Sequence, residues 1–156
     1  MAAIDDLKNL LVEDTRQLEQ LSGILLREKE ALANSDVKSL ESLTTEKNAL
    51  LVSIRDRARQ KIQALVAMGF RPDSGEPSRF IRSAGLDDLY NLWQQADTRL
   101  RECQAQNQCN SRVVSHLQTR LARLTDIFRG ATGHQKLYGA KGEQTTVSSG
   151  TVLASA

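Results

Sequence analysis

Apolar residues recur along the chain at alternating spacings of three and four, the pattern of a helix with one buried stripe. The first stripe is interrupted by polar side chains only at Asp14 and Glu28. Its apolar members are Ile4, Leu7, Leu11, Leu18, Leu21, Leu25 and Leu32. The pattern predicts a first helix over residues 4–33.

A second stripe begins after the short polar sequence "ANSD", in which Ser35 or Asp36 is a candidate helix cap. Its members are Val37, Leu40, Leu51, Ile54, Ala58, Leu65 and Met68, with polar breaks at Thr44, Lys47 and Lys61. This stripe predicts a second helix over residues 36–68. Because so few residues separate the two helices, we expect them to form an antiparallel hairpin.

Glycine and proline mark where helices end. Both prolines fall within residues 69–85, which we interpret as a linker, whereas neither residue type occurs between Gly85 and Gly130. A third helix is therefore predicted over residues 86–129. Its stripe comprises Leu86, Leu89, Trp93, Ala96, Leu100, Cys103, Asn107, Asn110, Val114, Leu117, Leu121, Leu124 and Phe128. Sustained over six heptads, this stripe is typical of a coiled coil.

The third helix is longer than the helices on which it would pack. At about 1.5 Å per residue it would reach roughly 65 Å, against roughly 45–50 Å for each helix of the hairpin. Part of its apolar stripe, from Val113 to Phe128, would then extend past the hairpin. Because large apolar patches are rarely left exposed, we expect a partner helix or a second copy of the chain to cover it.

Asn107 and Asn110 interrupt the third stripe next to one another. One interpretation is a buried polar layer, which lowers stability but penalises wrong helix registers. The alternative is that water reaches the stripe at this point and that the helix changes partners here.

Charge and composition exclude several classes of function. Lysine and arginine total 21 and aspartate and glutamate 19, a net charge of +2, which argues against nucleic-acid binding. Arg55, Arg57, Arg59 and Lys61 alternate with apolar positions, and we interpret them as the solvent-exposed face of the second helix. No apolar run approaches the length of about 20 residues that a membrane span requires, and the N-terminus lacks a secretion signal. We therefore expect a cytoplasmic location without direct membrane insertion.

No motif for catalysis or for a cofactor is present, so we predict neither an enzyme nor a cofactor. His116 and His134 have no second metal ligand at useful spacing, and we predict no metal site. Cys103 and Cys109 would lie on different faces of the third helix, which disfavours a disulfide between them.

Together these features predict an all-α protein. Residues 1–130 would form an antiparallel helical hairpin plus a long third helix, as a three-helix bundle or coiled coil. Residues 131–156 would form a flexible polar tail, which nevertheless contains Tyr138, one of two tyrosines in the chain. Such a molecule is suited to binding other proteins. The alternative is a structural or adaptor protein that self-associates, as a homodimer, through the third helix.

Three sequence features resemble the FlgN-type flagellar export chaperones. The N-terminal half shows the family's spacing of leucine pairs and glutamates, including "LTTEKNALLVSI". "NQCN", from Asn107 to Asn110, resembles an Asn-Gln-x-Asn motif in the family's third helix. "LYGAKGEQTT", from Leu137 to Thr146, resembles the family's Leu-Tyr-Gly-x-x-Gly tail motif and is the most specific of the three.

The resemblance implies a cytoplasmic chaperone for the two hook–filament junction proteins, FlgK and FlgL. Such a chaperone would bind their terminal segments, prevent premature assembly and deliver them to the export gate. The family's substrate-binding region maps onto Val113, Val114, Leu117, Leu121, Leu124 and Phe128. Leu137, Tyr138 and Gly139 would dock the chaperone on the cytoplasmic domain of the export-gate protein FlhA.

Overall fold

The computed structural model describes the backbone of residues 2–139 and the side chains of residues 2–130. The elements are α1 (Ala2–Ala33), α2 (Val37–Ala67), a 3₁₀ turn (Pro72–Ser74), α3 (Pro77–Ser83) and α4 (Asp87–Gly139). Within these residues there is no strand, which confirms the prediction of an all-α fold. The predicted third helix corresponds to α4.

The turn between α1 and α2 is fixed by backbone and side-chain hydrogen bonds. Ser35 lies in the left-handed region at a φ of 54°, and the Asp36 amide donates to the Ala31 carbonyl at 2.9 Å. Asp36 is the N-cap of α2, where its carboxylate accepts from the Ser39 amide at 3.2 Å and from the Ser39 hydroxyl at 2.6 Å. These bonds hold the pKa of the Asp36 carboxyl below its usual range.

Helix α2 ends in a Schellman motif. Gly69 adopts a φ of 104°, and the Phe70 amide donates to the Leu65 carbonyl at 3.0 Å. Phe70 is thereby placed in the core, with its ring centroid 5.4 Å from that of Phe80 in α3. Helix α3 was not predicted within the linker. At seven residues, starting at Pro77, it is too short to show a clear apolar period.

The core lies between α1, α2 and α4 and is closed at one end by α3. Its first cluster contains buried residues from all four helices: Leu7, Leu11, Leu65, Phe70, Ile81, Leu89 and Ala96. Further along, Leu18, Leu21 and Leu25 of α1 pack with Cys103 of α4. Helices α1 and α4 therefore run in the same direction, and α2 runs opposite to both.

Some positions of the predicted stripe of α2 do not face this core. Val37 and Ala58 are exposed, whereas Leu65 is buried as expected and Leu43, which the stripe omitted, is also buried. Polar residues interrupt the stripe at three places. The spacing of the apolar residues therefore does not determine reliably which positions of α2 face the core.

Helix α4 continues ten residues past its expected end at 129. Gly130 and Gly133 each disfavour the helix by only about 1 kcal/mol relative to alanine, and the described backbone stays helical through Gly139. Residues 131–139, expected in the tail, are therefore helical, and the rest of the expected tail lies outside the described residues. The chain divides into two compact units inside α4, one ending at Gln108 and the next beginning at Cys109.

The candidate partner-binding face of helix α4

The apolar stripe of α4 changes its environment along the helix. Leu89, Ala96 and Cys103 are buried in the core clusters. In the second unit, Asn110 is buried, Val114 and Leu117 are half-buried, and Leu121, Leu124 and Phe128 are exposed. The exposed fractions are 42% for Val113, 49% for Leu121, 59% for Leu124 and 77% for Phe128.

Ile127 belongs to the same surface, although the stripe omitted it. It is 67% exposed and directly precedes Phe128. The predicted stripe contains two positions per heptad. Ile127 and Val113 each directly precede a stripe residue and therefore fall outside it. A search for a wider apolar arc would have found it. We call the surface formed by Val113, Val114, Leu117, Leu121, Leu124, Ile127 and Phe128 the distal apolar face.

Asn107 and Asn110 are at the end of the first unit and the beginning of the second. Asn107 accepts a hydrogen bond on its Oδ1 from Lys47 Nζ of α2 at 3.2 Å. Asn110 is buried, with 2% of its surface exposed. The structure thus places Asn107 in a polar contact between helices, and a role of these asparagines in setting helix register stays a prediction.

Lys47 belongs to a buried ionic cluster that the sequence analysis missed. Its ammonium group lies 2.9 Å from Glu28 Oε2 of α1, and the side chains are 2% and 6% exposed. Two charges removed from water require one another and further hydrogen bonds, and Asn107 supplies one of these. The cluster therefore connects α1, α2 and α4 through polar groups alone.

A second ionic cluster lies between α1 and α2. Asp14 contacts Lys61 Nζ at 2.6 Å and the Arg57 guanidinium at 3.5 Å. Arg57 also donates to Gln17 Oε1 at 2.7 Å, and Lys61 Nζ lies 5.3 Å from the centroid of the Trp93 ring. Among the described side chains, no buried polar atom lacks a hydrogen-bond partner.

This second cluster corrects our interpretation of the basic residues of α2. Arg55 and Arg59 are exposed, as expected, but Arg57 is buried and Lys61 nearly so. The interpretation was wrong for these two because Asp14, 43 and 47 residues away in sequence, neutralises them.

The two cysteines lie in different environments. Cys103 is buried and donates to the Leu18 carbonyl at 3.4 Å, whereas Cys109 is exposed. Burial raises the pKa of the Cys103 thiol above its usual range. Both are free thiols.

Neither a metal centre nor a membrane span emerges from the described residues. No three His, Cys, Asp or Glu side chains among residues 2–130 are placed to hold a metal ion. The helices of the described part of the chain contain no stretch long and apolar enough to cross a membrane.

Comparison with known proteins identifies the family. The family model described as FlgN protein matches residues 1–146, nearly the whole chain and including both "NQCN" and "LYGAKGEQTT". The chain belongs to the FlgN family. Searches of curated proteins and of solved structures found no match.

Membership in the FlgN family confirms the resemblance seen in the sequence. It gives the chain a general role as a flagellar export chaperone, a protein that binds other flagellar proteins. FlgN proteins are chaperones and are not known as enzymes. The distal apolar face is thus an exposed apolar surface on a protein whose family binds other flagellar proteins.

Proposed function

We propose that this FlgN protein is a cytoplasmic chaperone that binds the terminal helical segments of FlgK and FlgL on its distal apolar face. By covering these segments it would prevent premature assembly. It would then deliver the bound proteins to the export gate. The observation that carries the proposal is the exposure of Leu121, Leu124, Ile127 and Phe128 on one helix. Exposed apolar surface of this kind marks sites of protein interaction.

The properties of such a contact suit a chaperone that must release its substrate. A disordered segment that folds upon binding spends part of the interaction energy on becoming ordered. The resulting affinity is moderate, which allows transfer at the gate. An exposed apolar face of a helix can pack against the apolar face of a segment that folds as a helix.

A charge on the distal apolar face tests the proposal. We expect Leu121→Asp to abolish co-purification with FlgK and FlgL, because binding would bury the carboxylate against apolar side chains. Leu26→Asp is the matched control, since Leu26 is 56% exposed on α1 and Leu121 is 49% exposed. Normal co-purification with Leu121→Asp, or equal loss in both variants, would exclude the distal apolar face as the substrate site.

We further propose that Leu137, Tyr138 and Gly139, which lie in α4, dock the chaperone on the cytoplasmic domain of FlhA. The support is the "LYG" motif within the family match, together with the contact area that a tyrosine gives with few rotatable bonds. Tyr138→Ala should lower the affinity for FlhA and leave the affinity for FlgK and FlgL unchanged. Titration calorimetry with each partner measures both, and unchanged FlhA affinity would remove this role.

A further inference from the structure

Charge is distributed asymmetrically around the distal apolar face. Residues 109–130 contain four arginines and one aspartate. At about 100° per residue, three of these arginines and a histidine lie along one edge of the apolar arc. They are Arg112, His116, Arg120 and Arg123. The opposite edge consists of Ser111, Gln118 and Thr125, and carries a charge only at Arg129. Ser115, Ala122 and Asp126 lie on the back of the helix, away from the apolar arc.

The arginines of this basic edge have no acidic partner in the described part of the chain. Arg112, Arg120 and Arg123 are exposed, and none of them forms an ion pair with any side chain of residues 2–130. Asp126, three residues after Arg123, does not form a salt bridge with it. A row of unpaired cations beside an exposed apolar surface calls for an anionic partner.

The first unit shows how α4 uses an arginine at the equivalent position. Arg99 directly precedes the stripe residue Leu100, and its guanidinium lies 3.5 Å from Glu19 of α1, the helix that packs on this part of α4. Arg120 directly precedes the stripe residue Leu121, three heptads later. The two arginines therefore occupy the same heptad position, one with a helix packed beside it and an acid opposite.

We propose that the distal apolar face binds an amphipathic helix with carboxylates along the flank that faces Arg120 and Arg123. The bound helix would place apolar side chains on Leu117, Leu121 and Leu124, as α1 does on the earlier part of the stripe. Its acidic flank would then lie beside the basic edge, as Glu19 lies beside Arg99. Such flanking pairs determine which helix binds and in which orientation. This proposal rests on the proposed function only in assigning the helix to a flagellar substrate.

The same charge pattern disfavours the other occupants. A second copy packed antiparallel would bring one basic edge against the other, and a parallel copy would bring it against the neutral edge. An anionic bilayer would contact both edges of the apolar arc, of which only one is basic along most of its length. An amphipathic helix with one acidic flank would cover the apolar arc and place its carboxylates beside the single basic edge.

Two synthetic peptides test the proposal against the full chain. Both form the same amphipathic helix with leucine on the apolar stripe, and they differ only in having glutamate or lysine on the flanks. We expect the acidic peptide to bind about tenfold more tightly at low ionic strength, as two or three charge pairs would allow. Fluorescence anisotropy of labelled peptides measures both affinities.

Charge reversal in the chain should reverse the preference. Arg120→Glu combined with Arg123→Glu should make the lysine peptide the tighter ligand. Arg55→Glu combined with Arg59→Glu is the matched control, because both residues are exposed on α2 and the change in net charge is the same. This control should retain the preference for the acidic peptide, and circular dichroism should show both variants folded.

Several results would overturn the proposal. These are equal binding of the two peptides, no binding of either, or a preference that the Arg120 and Arg123 reversal does not change. Recruitment to phosphatidylserine vesicles without peptide binding would indicate a lipid surface, and a tight dimer by sedimentation would indicate a second copy.

Binding of FlgK and FlgL separates this proposal from the proposed function. If they bind wild-type chain and the Arg120 and Arg123 reversal equally well, the acidic-flank proposal fails and the chaperone function stands. If they do not bind at all while the acidic peptide is still preferred, the chaperone assignment fails and the acidic-flank proposal stands.

Discussion

The two units of this FlgN protein differ in which side chains are buried. In the first unit, Asp14, Glu28, Lys47 and Arg57 are buried between helices. In the second unit, Leu121 and Leu124 of the same α4 stripe are exposed to solvent. The heptad pattern is continuous across both units, so the pattern alone does not determine burial. What differs is that α1 and α2 pack on the stripe in the first unit, whereas Leu121 and Leu124 are exposed among the described residues of the second.

Removing one of the buried charges of the first unit should have the largest effect on stability. Glu28→Ala leaves the Lys47 ammonium buried with Asn107 as its polar contact, so we expect a loss of about 3–5 kcal/mol in the free energy of unfolding. Glu19→Ala removes a half-exposed partner from Arg99 and should lower stability by about 1 kcal/mol or less. Urea denaturation measures both, and equal losses would contradict the distinction between buried and exposed pairs.

The same apolar truncation in each unit gives the next largest effect. Leu25→Ala removes a fully buried side chain and should lower the free energy of unfolding by about 2–5 kcal/mol. Leu124→Ala removes a side chain that is 59% exposed and should change it by no more than about 0.5 kcal/mol. A loss above about 2 kcal/mol for Leu124→Ala would show that the distal apolar face is already covered in the isolated protein.

The reactivity of Cys103 and Cys109 compares side-chain burial in the two units without any substitution. Cys109 is exposed, whereas burial shields Cys103 and raises its thiol pKa, so less of the reactive thiolate is present. We expect a maleimide to modify the folded protein at Cys109 and to modify Cys103 only after denaturation. Mass spectrometry of digested protein locates the label, and comparable labelling of both residues under native conditions would contradict the assigned burial of Cys103.

The smallest effect is a pH dependence at the N-cap of α2. Because folding lowers the pKa of the Asp36 carboxyl, its stabilising contribution is present above the ordinary aspartate pKa and is lost as the pH falls through the lowered value. Asp36→Ala should therefore destabilise the protein more at pH 7 than at about pH 2. Thermal unfolding of both proteins at the two pH values measures this, and a pH-independent difference would rule out the cap.

Much of the fold could be predicted from the sequence because glycine and proline are unevenly placed. The long helix follows from the segment between Gly85 and Gly130, which contains neither residue, and the hairpin follows from two apolar stripes separated only by "ANSD". The buried ionic clusters could not be recognised from one helix at a time, since Arg57 and Lys61 look like ordinary surface residues of α2. A signal was nevertheless present. Asp14 and Glu28 lie on the stripe of α1, and in both ion pairs, Asp14–Lys61 and Glu28–Lys47, the residue numbers add up to the same total, as an antiparallel pair requires.

The candidate site was predicted less completely than the fold. The stripe from Val113 to Phe128 could be identified from spacing, but Ile127 and the basic edge required the whole circumference of the helix to be considered. The pairing of Arg99 with Glu19, which suggests how Arg120 is used, depends on a contact between helices distant in sequence. No periodicity within α4 contains that information.

Hydrogen–deuterium exchange with a purified terminal segment of FlgK tests whether the distal apolar face binds substrate. We predict new protection in residues 113–128 when the segment is added, with little change in α1 and α2. Leu121→Asp should abolish this protection, and Leu26→Asp should retain it. Protection confined to α1 and α2, with residues 113–128 unaffected, would contradict the assignment of substrate binding to the distal apolar face.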